Sequence, residues 1–228
     1  MSDSTEDFLQ TTRSSYDAIA KDYASRFPEG LSHPLERQLV TAFAELVTAN
    51  GPAPVADLGS GPGYVTARLH GMGVPVFGVD ISPAMVTLAR EAHPQLRFHV
   101  GSMTALDLPD ATLGGVLCLY SAIHVPDDRL PTAFAEFRRT LVPGGHVLLG
   151  FQSGTEPGRL HLSERFGHEI DLDYYWRTPD QVTALLTEAG LEPTATVVRE
   201  PQEEETRPRA FLLARKPADA PGHRDRAR

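Results

Sequence analysis

Val55-Ala56-Asp57-Leu58-Gly59-Ser60-Gly61-Pro62-Gly63 is the most informative part of the sequence. Its first four residues form a short apolar run with one acid, which is typical of a buried parallel strand. Glycine then occupies every second position, where the absent Cβ atoms let the backbone turn sharply and lie against a ligand. A helical pattern begins after the last glycine. A strand, a glycine turn and a helix predict a nucleotide-binding element of a doubly wound sheet.

The spacing of the glycines argues against a dinucleotide. A dinucleotide-binding turn has the pattern Gly-x-Gly-x-x-Gly, and the last of these positions is Tyr64 here. Asp57 stands just before the turn, where a carboxylate pointed at the ligand would repel a pyrophosphate and attract a cationic group. The pattern Asp57-x-Gly59-x-Gly61-x-Gly63 resembles motif I of the class I methyltransferases that use S-adenosylmethionine. That ligand carries an ammonium and a sulfonium group and no phosphate.

Composition limits the class of protein. The 228 residues carry a net charge of −9, which argues against a nucleic-acid partner. The only cysteine, Cys118, lies in an apolar run, so no disulfide framework is expected. The acidic N-terminus is not typical of a signal peptide, and no apolar run reaches membrane-spanning length. We expect a cytoplasmic protein, monomeric or homodimeric, that has no metal site and no membrane partner.

The order of elements predicts one α/β domain over residues 14–216. Residues 1–13 and 217–228 are expected to be disordered tails, and residues 14–50 to form two helices. From residue 55, strands and helices alternate, which indicates a mainly parallel sheet covered on both faces. The predicted strands are Val55–Leu58, Pro75–Val79, Leu96–Val100, Val116–Tyr120, His146–Phe151, Thr194–Arg199 and Ala210–Ala214. The last two have no helix between them, so they must pair antiparallel or separate.

The resembling family has seven strands with the last one inserted antiparallel, in a doubly wound, Rossmann-like sheet. The resemblance covers residues 14–216. It implies that the N-terminal helices form a lid over the methionine end of the cofactor. In small-molecule members the lid carries a Tyr-Asp-x-x-Ala-x-x-Tyr motif, which Tyr16-Asp17-Ala18-Ile19-Ala20-Lys21-Asp22-Tyr23 matches.

An acid at the end of the second predicted strand points to a nucleoside. Asp80 lies 21 residues after Gly59 (80 − 59), where an acid accepts hydrogen bonds from ribose hydroxyls. Ser102 stands where the resembling family often has an acid that binds the adenine amino group. Ile81 is expected to cover the adenine, and Met103 either walls it or packs in the core. The predicted cofactor-binding residues are Tyr16, Tyr23, Asp57, Gly59, Ser60, Gly61, Gly63, Asp80, Ile81, Met85, Gly101, Ser102, Met103 and Tyr120.

The end of the fourth predicted strand faces the methyl group in the resembling enzymes. Neither Asn-Pro-Pro-Tyr nor Asp-Pro-Pro-Tyr occurs in the chain, which argues against methylases of DNA bases and of glutamine amides. His124 is the side chain here that titrates near neutral pH. It is either the catalytic base or a structural histidine that shapes the pocket.

Residues 152–177 are too long for a simple strand-to-helix connection, so we expect a cap insertion. Loops at the carboxyl edge of a sheet carry specificity, and this one is rich in histidine and aromatic residues. The alternative is a packing appendage or a dimer contact. The predicted substrate-binding residues are Tyr16, His124, Phe151, His161, Arg165, His168, Tyr174 and Trp176.

These observations predict an S-adenosylmethionine-dependent methyltransferase that acts on an O, N or C atom of a small molecule. The family resemblance implies a role in secondary metabolism. The remaining alternatives are a nucleotide-dependent oxidoreductase and a protein that binds S-adenosylmethionine without catalysis.

Overall fold

The structure, a computed structural model, describes residues 3–28, 30–202 and 205–218. Within them the helices are α1 Asp3–Arg26, α2 Pro34–Ala49, α3 Tyr64–Gly71, α4 Pro83–Ala92, α5 Leu130–Thr140 and α6 Pro179–Glu188. The strands are β1 Val55–Leu58, β2 Val76–Asp80, β3 Phe98–Val100, β4 Leu113–Leu119, β5 Leu141–Gln152, β6 Gly158–Arg165, β7 His168–Trp176, β8 Glu192–Arg199 and β9 Arg209–Arg215. No helix in the described ranges has the length and apolar composition to cross a bilayer.

Seven of the strands form one sheet in the order β3-β2-β1-β4-β5-β9-β8. Neighbours from β3 to β5 are parallel, whereas β9 runs antiparallel to both β5 and β8. The predicted doubly wound sheet with an antiparallel last strand is confirmed. The chain order reverses between β1 and β4, and ligands bind beside the carboxyl ends of strands at such a switch point.

Helices bury both faces of the sheet, and β4 contributes to both cores because alternate side chains of a strand point to opposite sides. Val116 and Cys118 join the core under α5 and α6, and Leu117 joins the core under α2 and α3. Continuous apolar strands require this arrangement.

The first helix begins earlier than the sequence predicted. We expected residues 1–13 to be a disordered tail, but α1 starts at Asp3. The physical reason is that Phe8 and Leu9 extend the apolar face of the helix and line the same cavity as Tyr16 and Tyr23. The predicted C-terminal tail, residues 217–228, lies outside the described residues from position 219 onward.

Residues 152–177 contain two strands that we did not predict. β6 and β7 pair antiparallel in a separate two-stranded sheet. Phe166 and Gly167 form the turn with φ of 55° and 84°, the left-handed values of a two-residue hairpin. The hairpin packs on α1, where the Ser15 hydroxyl donates to the Asp171 carbonyl and accepts from the Asp171 N–H, both at 3.0 Å.

Candidate active site

A cavity with about 790 Å³ of empty space, its open mouth included, lies at the carboxyl edge of the sheet. The ends of β1, β2 and β4 form its floor and α1 covers it. It brings together most of the predicted cofactor-binding residues with His124. The predicted residues that line it are Tyr16, Tyr23, Gly59, Gly61, Asp80, Ile81, Met85, Gly101, Ser102, Met103, Tyr120 and His124.

The glycine turn forms one wall, and its first two glycines are required for different reasons. A Cβ on Gly59 would lie 2.1 Å from the Ser121 Cβ, so this glycine lets β1 and β4 approach each other. Gly61 has φ of 52° and no atom within 4 Å of a Cβ position. Its backbone therefore faces open space in the cavity, as a ligand lying against the turn requires.

Asp80, at the end of β2, is held by backbone donors. Its Oδ2 accepts from the Gly61 N–H and its Oδ1 from the Ser82 N–H, both at 2.8 Å. Each carboxylate oxygen keeps a free lone pair that can accept a ribose hydroxyl. Burial raises the pKa of Asp80 to about 6, against the lowering effect of these two hydrogen bonds.

The predicted adenine end has apolar walls from Ile81, Met85 and Met103. Ser102, which replaces the acid common in the resembling family, shares a hydrogen bond of 2.8 Å with the Thr104 hydroxyl. Both oxygens lie on residues that line the cavity, so either can face an adenine amino group.

Three predicted cofactor-binding residues do not line the cavity. Asp57 is buried and its Oδ2 accepts from the Thr66 hydroxyl at 2.6 Å. The expectation that its carboxylate faces the ligand is therefore wrong: it ties β1 to α3, and burial raises its pKa to about 7. A Cβ on Gly63 would lie 2.6 Å from the Phe98 ring, so this glycine serves packing. The Ser60 hydroxyl is buried under the turn.

Tyr16 and His124 both line the cavity and contact each other. The Tyr16 hydroxyl lies 2.7 Å from His124 Nε2, and His124 Nδ1 lies 2.8 Å from the Asp173 carbonyl oxygen. A carbonyl only accepts, so Nδ1 carries the proton and Nε2 accepts from Tyr16. Burial lowers the pKa of His124 to about 4, which keeps the imidazole neutral.

The segment that carries His124 is a short 3₁₀ helix, Ala122–His124. The buried Arg177, which is 2% exposed, binds the backbone of this 3₁₀ helix. The guanidinium donates to the Ala122 carbonyl at 3.2 Å, to the Val125 carbonyl at 2.5 Å and to Asp127 Oδ1 at 2.7 Å. Arg177 thus fixes the backbone on both sides of His124. Sequence reasoning missed it because its partners are mainly carbonyls distant in the chain.

Tyr120 lines the cavity in a left-handed conformation, with φ of 55°. Such a conformation costs about 1 kcal/mol or more for a residue with a Cβ. A buried network offsets it: the Tyr120 hydroxyl donates to Glu36 Oε1, and Arg199 donates to the same oxygen, both at 2.9 Å.

Of the predicted residues in the hairpin and beside it, Tyr174 and Arg165 come near the cavity without lining it. The Tyr174 ring centroid lies 4.6 Å from that of His124, and Arg165 donates to the Tyr174 hydroxyl. The others lie elsewhere. Phe151 is buried in the core, His161 is exposed beside Asp173, His168 pairs with Asp22 on α1 at 2.9 Å, and Trp176 stacks under Arg207.

Several residues that line the cavity were not predicted. They are Phe8, Leu9, Thr12, Leu58, Val79, Thr104, Leu119, Ser121 and Val125. Leu9, Tyr16 and Tyr23 are seven residues apart in each step (16 − 9 and 23 − 16), which places them on one helix face. This spacing could have predicted that Leu9 lines the cavity.

The fold and this cavity define a class: an α/β protein that binds a nucleoside beside a glycine turn. Among the described residues, no Lys or Arg lines the cavity and Asp80 is its one acid. This donor set fits a nucleoside that carries positive charge and no phosphate, as S-adenosylmethionine does.

The comparisons with known proteins give the family. The model of a methyltransferase domain matches residues 55–145. The N-demethylindolmycin N-methyltransferase of Streptomyces griseus is 30% identical over 86% of this chain and 94% of its own length. The chain belongs to the S-adenosylmethionine-dependent methyltransferases of class I.

Solved structures share the fold. Magnesium protoporphyrin IX methyltransferase from Synechocystis PCC 6803, with bound S-adenosylmethionine, superimposes with a TM-score of 0.68 at 17% identity, covering 92% of this chain and 97% of that one. The N1-methyltransferase of 1,6-didemethyltoxoflavin from Burkholderia thailandensis has a TM-score of 0.63 at 22% identity, with 88% of each chain covered.

The protein is therefore a methyltransferase that uses S-adenosylmethionine as its cofactor and acts on a small molecule. The predictions of family, enzyme class and cofactor are confirmed. The comparisons give no support to an oxidoreductase or to a binding protein without catalysis.

Proposed function

We propose that the enzyme methylates a nitrogen atom of a small molecule, in secondary metabolism. A similar protein from Streptomyces griseus supports this proposal, because its name states N-methylation. The observation that carries the proposal is the Tyr16–His124 pair, because it places a neutral proton acceptor at the wall of the cavity that Asp80 also lines.

The cofactor supplies an activated methyl group on a sulfonium, so the protein contributes mainly alignment. Asp80 and the Gly59–Gly61 turn hold the nucleoside. Tyr16 and Tyr23, on α1, cover the reacting end and exclude water. The acceptor binds beside Tyr16, Tyr120 and Val125, whose side chains offer apolar surface with one polar pair.

Incubation with methyl-labelled S-adenosylmethionine and a set of nitrogen heterocycles, N-demethylindolmycin included, tests this proposal. We expect S-adenosylhomocysteine and an N-methylated product, identified by mass spectrometry and NMR. Products methylated only on oxygen or carbon would contradict it, while leaving the family assignment intact.

We further propose a cytoplasmic monomer or homodimer that has neither nucleic acid nor membrane as a partner. The net charge of −9 supports this, because a nucleic-acid partner would favour a basic surface. Light scattering of the purified protein measures its mass, and a species larger than a dimer would contradict the proposed assembly.

A further inference from the structure

A chain of hydrogen bonds runs behind the reacting end of the cavity from Arg165 to the Asp173 carbonyl, and each group in it donates to the next. Arg165 donates to the Tyr174 hydroxyl, and that hydroxyl is hydrogen bonded to Tyr16. Tyr16 donates to His124 Nε2, and His124 Nδ1–H donates to the Asp173 carbonyl. Since both ends are fixed, by a guanidinium that only donates and a carbonyl that only accepts, the order of donors between them is fixed too.

This order leaves one acceptor site on Tyr16. A phenolic oxygen has two lone pairs, and Tyr174 uses one of them. Both nitrogens of His124 are engaged, so its imidazole meets no acceptor molecule directly. Tyr16 lines the cavity, so a bound molecule can donate a hydrogen bond to the remaining lone pair of its phenolic oxygen.

The sulfonium of the bound cofactor already brings one positive charge to this end of the cavity, and the charges around it disfavour a second cation. The guanidinium of Arg165 lies close enough to influence Tyr16 and His124, and Arg177 lies behind His124. The Asp173 carboxylate, whose backbone carbonyl binds His124, is paired with Arg159 at 2.8 Å and with His161 at 3.1 Å. Tyr23 and Tyr174 complete the surroundings and are neutral. The Asp80 carboxylate acts on Tyr23, and the ribose of the cofactor occupies it in the proposed complex.

An alkyl amine, like a lysine side chain, has a pKa of about 10 and arrives as a cation. Here it would lose its hydration without gaining a carboxylate partner, which is unfavourable. A neutral molecule with an N–H bond donates to Tyr16 at no such cost.

We propose that the acceptor is a neutral molecule with a weakly acidic N–H bond, an amide-like or heteroaromatic nitrogen, and that Tyr16 takes its proton. The nitrogen's electron pair forms the bond to the methyl carbon as the carbon–sulfur bond breaks, and that bond's electrons stay on sulfur, leaving S-adenosylhomocysteine. The acceptor's proton passes to the Tyr16 oxygen, whose own proton moves to His124 Nε2. As the product leaves, His124 Nε2 returns this proton to Tyr16, and the Tyr16 oxygen releases the acceptor's proton to water that enters the cavity.

In this inference, which rests on the proposed function, Tyr16 is the catalytic residue. His124 acts through Tyr16, and Tyr174 and Arg165 position the phenol and favour negative charge developing on the acceptor. Burial lowers the pKa of His124, so the neutral imidazole is favoured and the relay returns to its starting state.

Matched compounds test the acceptor class. Valerolactam and benzimidazole carry neutral N–H bonds, whereas piperidine and benzylamine are shape-related alkyl amines. With S-adenosylmethionine bound, as shown separately by calorimetry, we expect methylation of the first pair and at least tenfold slower methylation of the second. Faster methylation of the amines, or none of either pair, would overturn the inference. Absence of cofactor binding would instead refute the proposed function.

Variants test the relay. Tyr16→Phe should lower kcat by roughly a hundredfold or more, the usual contribution of a general base. Adding His124→Gln should lower it little further, because the two act as one unit. Tyr175→Phe is the control: it makes the same Tyr-to-Phe change on β7, at the residue after Tyr174 and outside the cavity, and should leave kcat unchanged. Wild-type kcat in Tyr16→Phe would overturn the relay.

A measurement without turnover addresses the same point. Nitrogen NMR of the free protein should show His124 as the Nδ1–H tautomer, with the Nε2 resonance shifting when Tyr16→Phe removes its donor. An Nε2–H tautomer would reverse the donor order and contradict the proposal.

Discussion

At the carboxyl end of β2, Asp80 keeps one lone pair free on each oxygen while two backbone N–H groups hold it in place. Asp80→Ala should lower the affinity for S-adenosylmethionine more than tenfold, since charge-assisted hydrogen bonds contribute about 1.5–3 kcal/mol each. Calorimetry measures this directly. Unchanged affinity would remove Asp80 from the ribose.

The raised pKa of Asp80 gives this contact a pH dependence. In the free protein the carboxyl is protonated below a pH of about 6, so it accepts ribose hydroxyls less well there. We expect affinity to fall as the pH drops from 7 to 5. Asp80→Asn should bind weakly and independently of pH in this range, because its amide presents an N–H group to a backbone donor.

Two glycines of the turn, Gly59 and Gly61, both have positive φ but differ in the space around them. Gly61→Ala places a Cβ in open space at positive φ, so it should cost about 1–2 kcal/mol of unfolding free energy. Gly59→Ala should cost clearly more, because its Cβ would meet Ser121 at 2.1 Å and separate β1 from β4. Urea unfolding compares them, and equal losses would contradict the different roles of the two glycines.

Among the elements, the first turns of α1 contribute to the cavity through Phe8 and Leu9. The double variant Phe8→Ala with Leu9→Ala should weaken cofactor binding at least tenfold by removing apolar contact. The exposed neighbour Gln10→Ala is the control, with affinity expected to stay at the wild-type value. Calorimetry on the three proteins decides, and retained binding in the double variant would show that α1 does not cover the ligand.

Sequence reasoning succeeded where a local pattern determines the element. The apolar run Val55–Leu58 and the glycines after it predicted β1 and its turn, and Asp80 and Tyr16 follow from position along the strand and the helix. The β6–β7 hairpin was also encoded, in the alternation of Leu160 and Leu162 with Ile170, Leu172 and Tyr174. We missed it because histidines and aromatic residues in a long connection suggested a loop.

Other features depend on contacts between distant residues and could not be predicted. Asp57 faces Thr66 rather than the ligand because α3 packs over β1 and supplies a donor. Both nitrogens of His124 are engaged by residues from α1 and β7. Such partners become visible only once the sheet, the lid helix and the hairpin are assembled.

For the whole molecule, two buried groups affect stability in opposite directions as the pH changes. Asp57 has a pKa of about 7 when folded, above the usual value of 3.8, so its contribution is lost as the pH rises towards 7. His124 has a pKa of about 4, below the usual 6.5, so its contribution is lost as the pH falls from 6.5 to 4.

Asp57→Asn should separate the two effects. The amide keeps an acceptor for Thr66 but cannot ionise, so the acid's penalty at high pH disappears. Relative to wild type, the variant should gain about 2 kcal/mol of unfolding free energy on going from pH 5 to pH 8. Urea unfolding at both values measures it, and a parallel pH profile would show that Asp57 is ionised throughout.

The most direct test of the cofactor site is a calorimetric titration of the wild-type protein with S-adenosylmethionine, S-adenosylhomocysteine and NAD, repeated on Gly61→Val. We expect the first two to bind wild type and NAD not to bind. Gly61→Val should remain folded by circular dichroism and lose both ligands, because its side chain fills the space beside the turn. Binding of NAD, or undiminished binding of S-adenosylmethionine by Gly61→Val, would contradict the placement of the cofactor in this cavity.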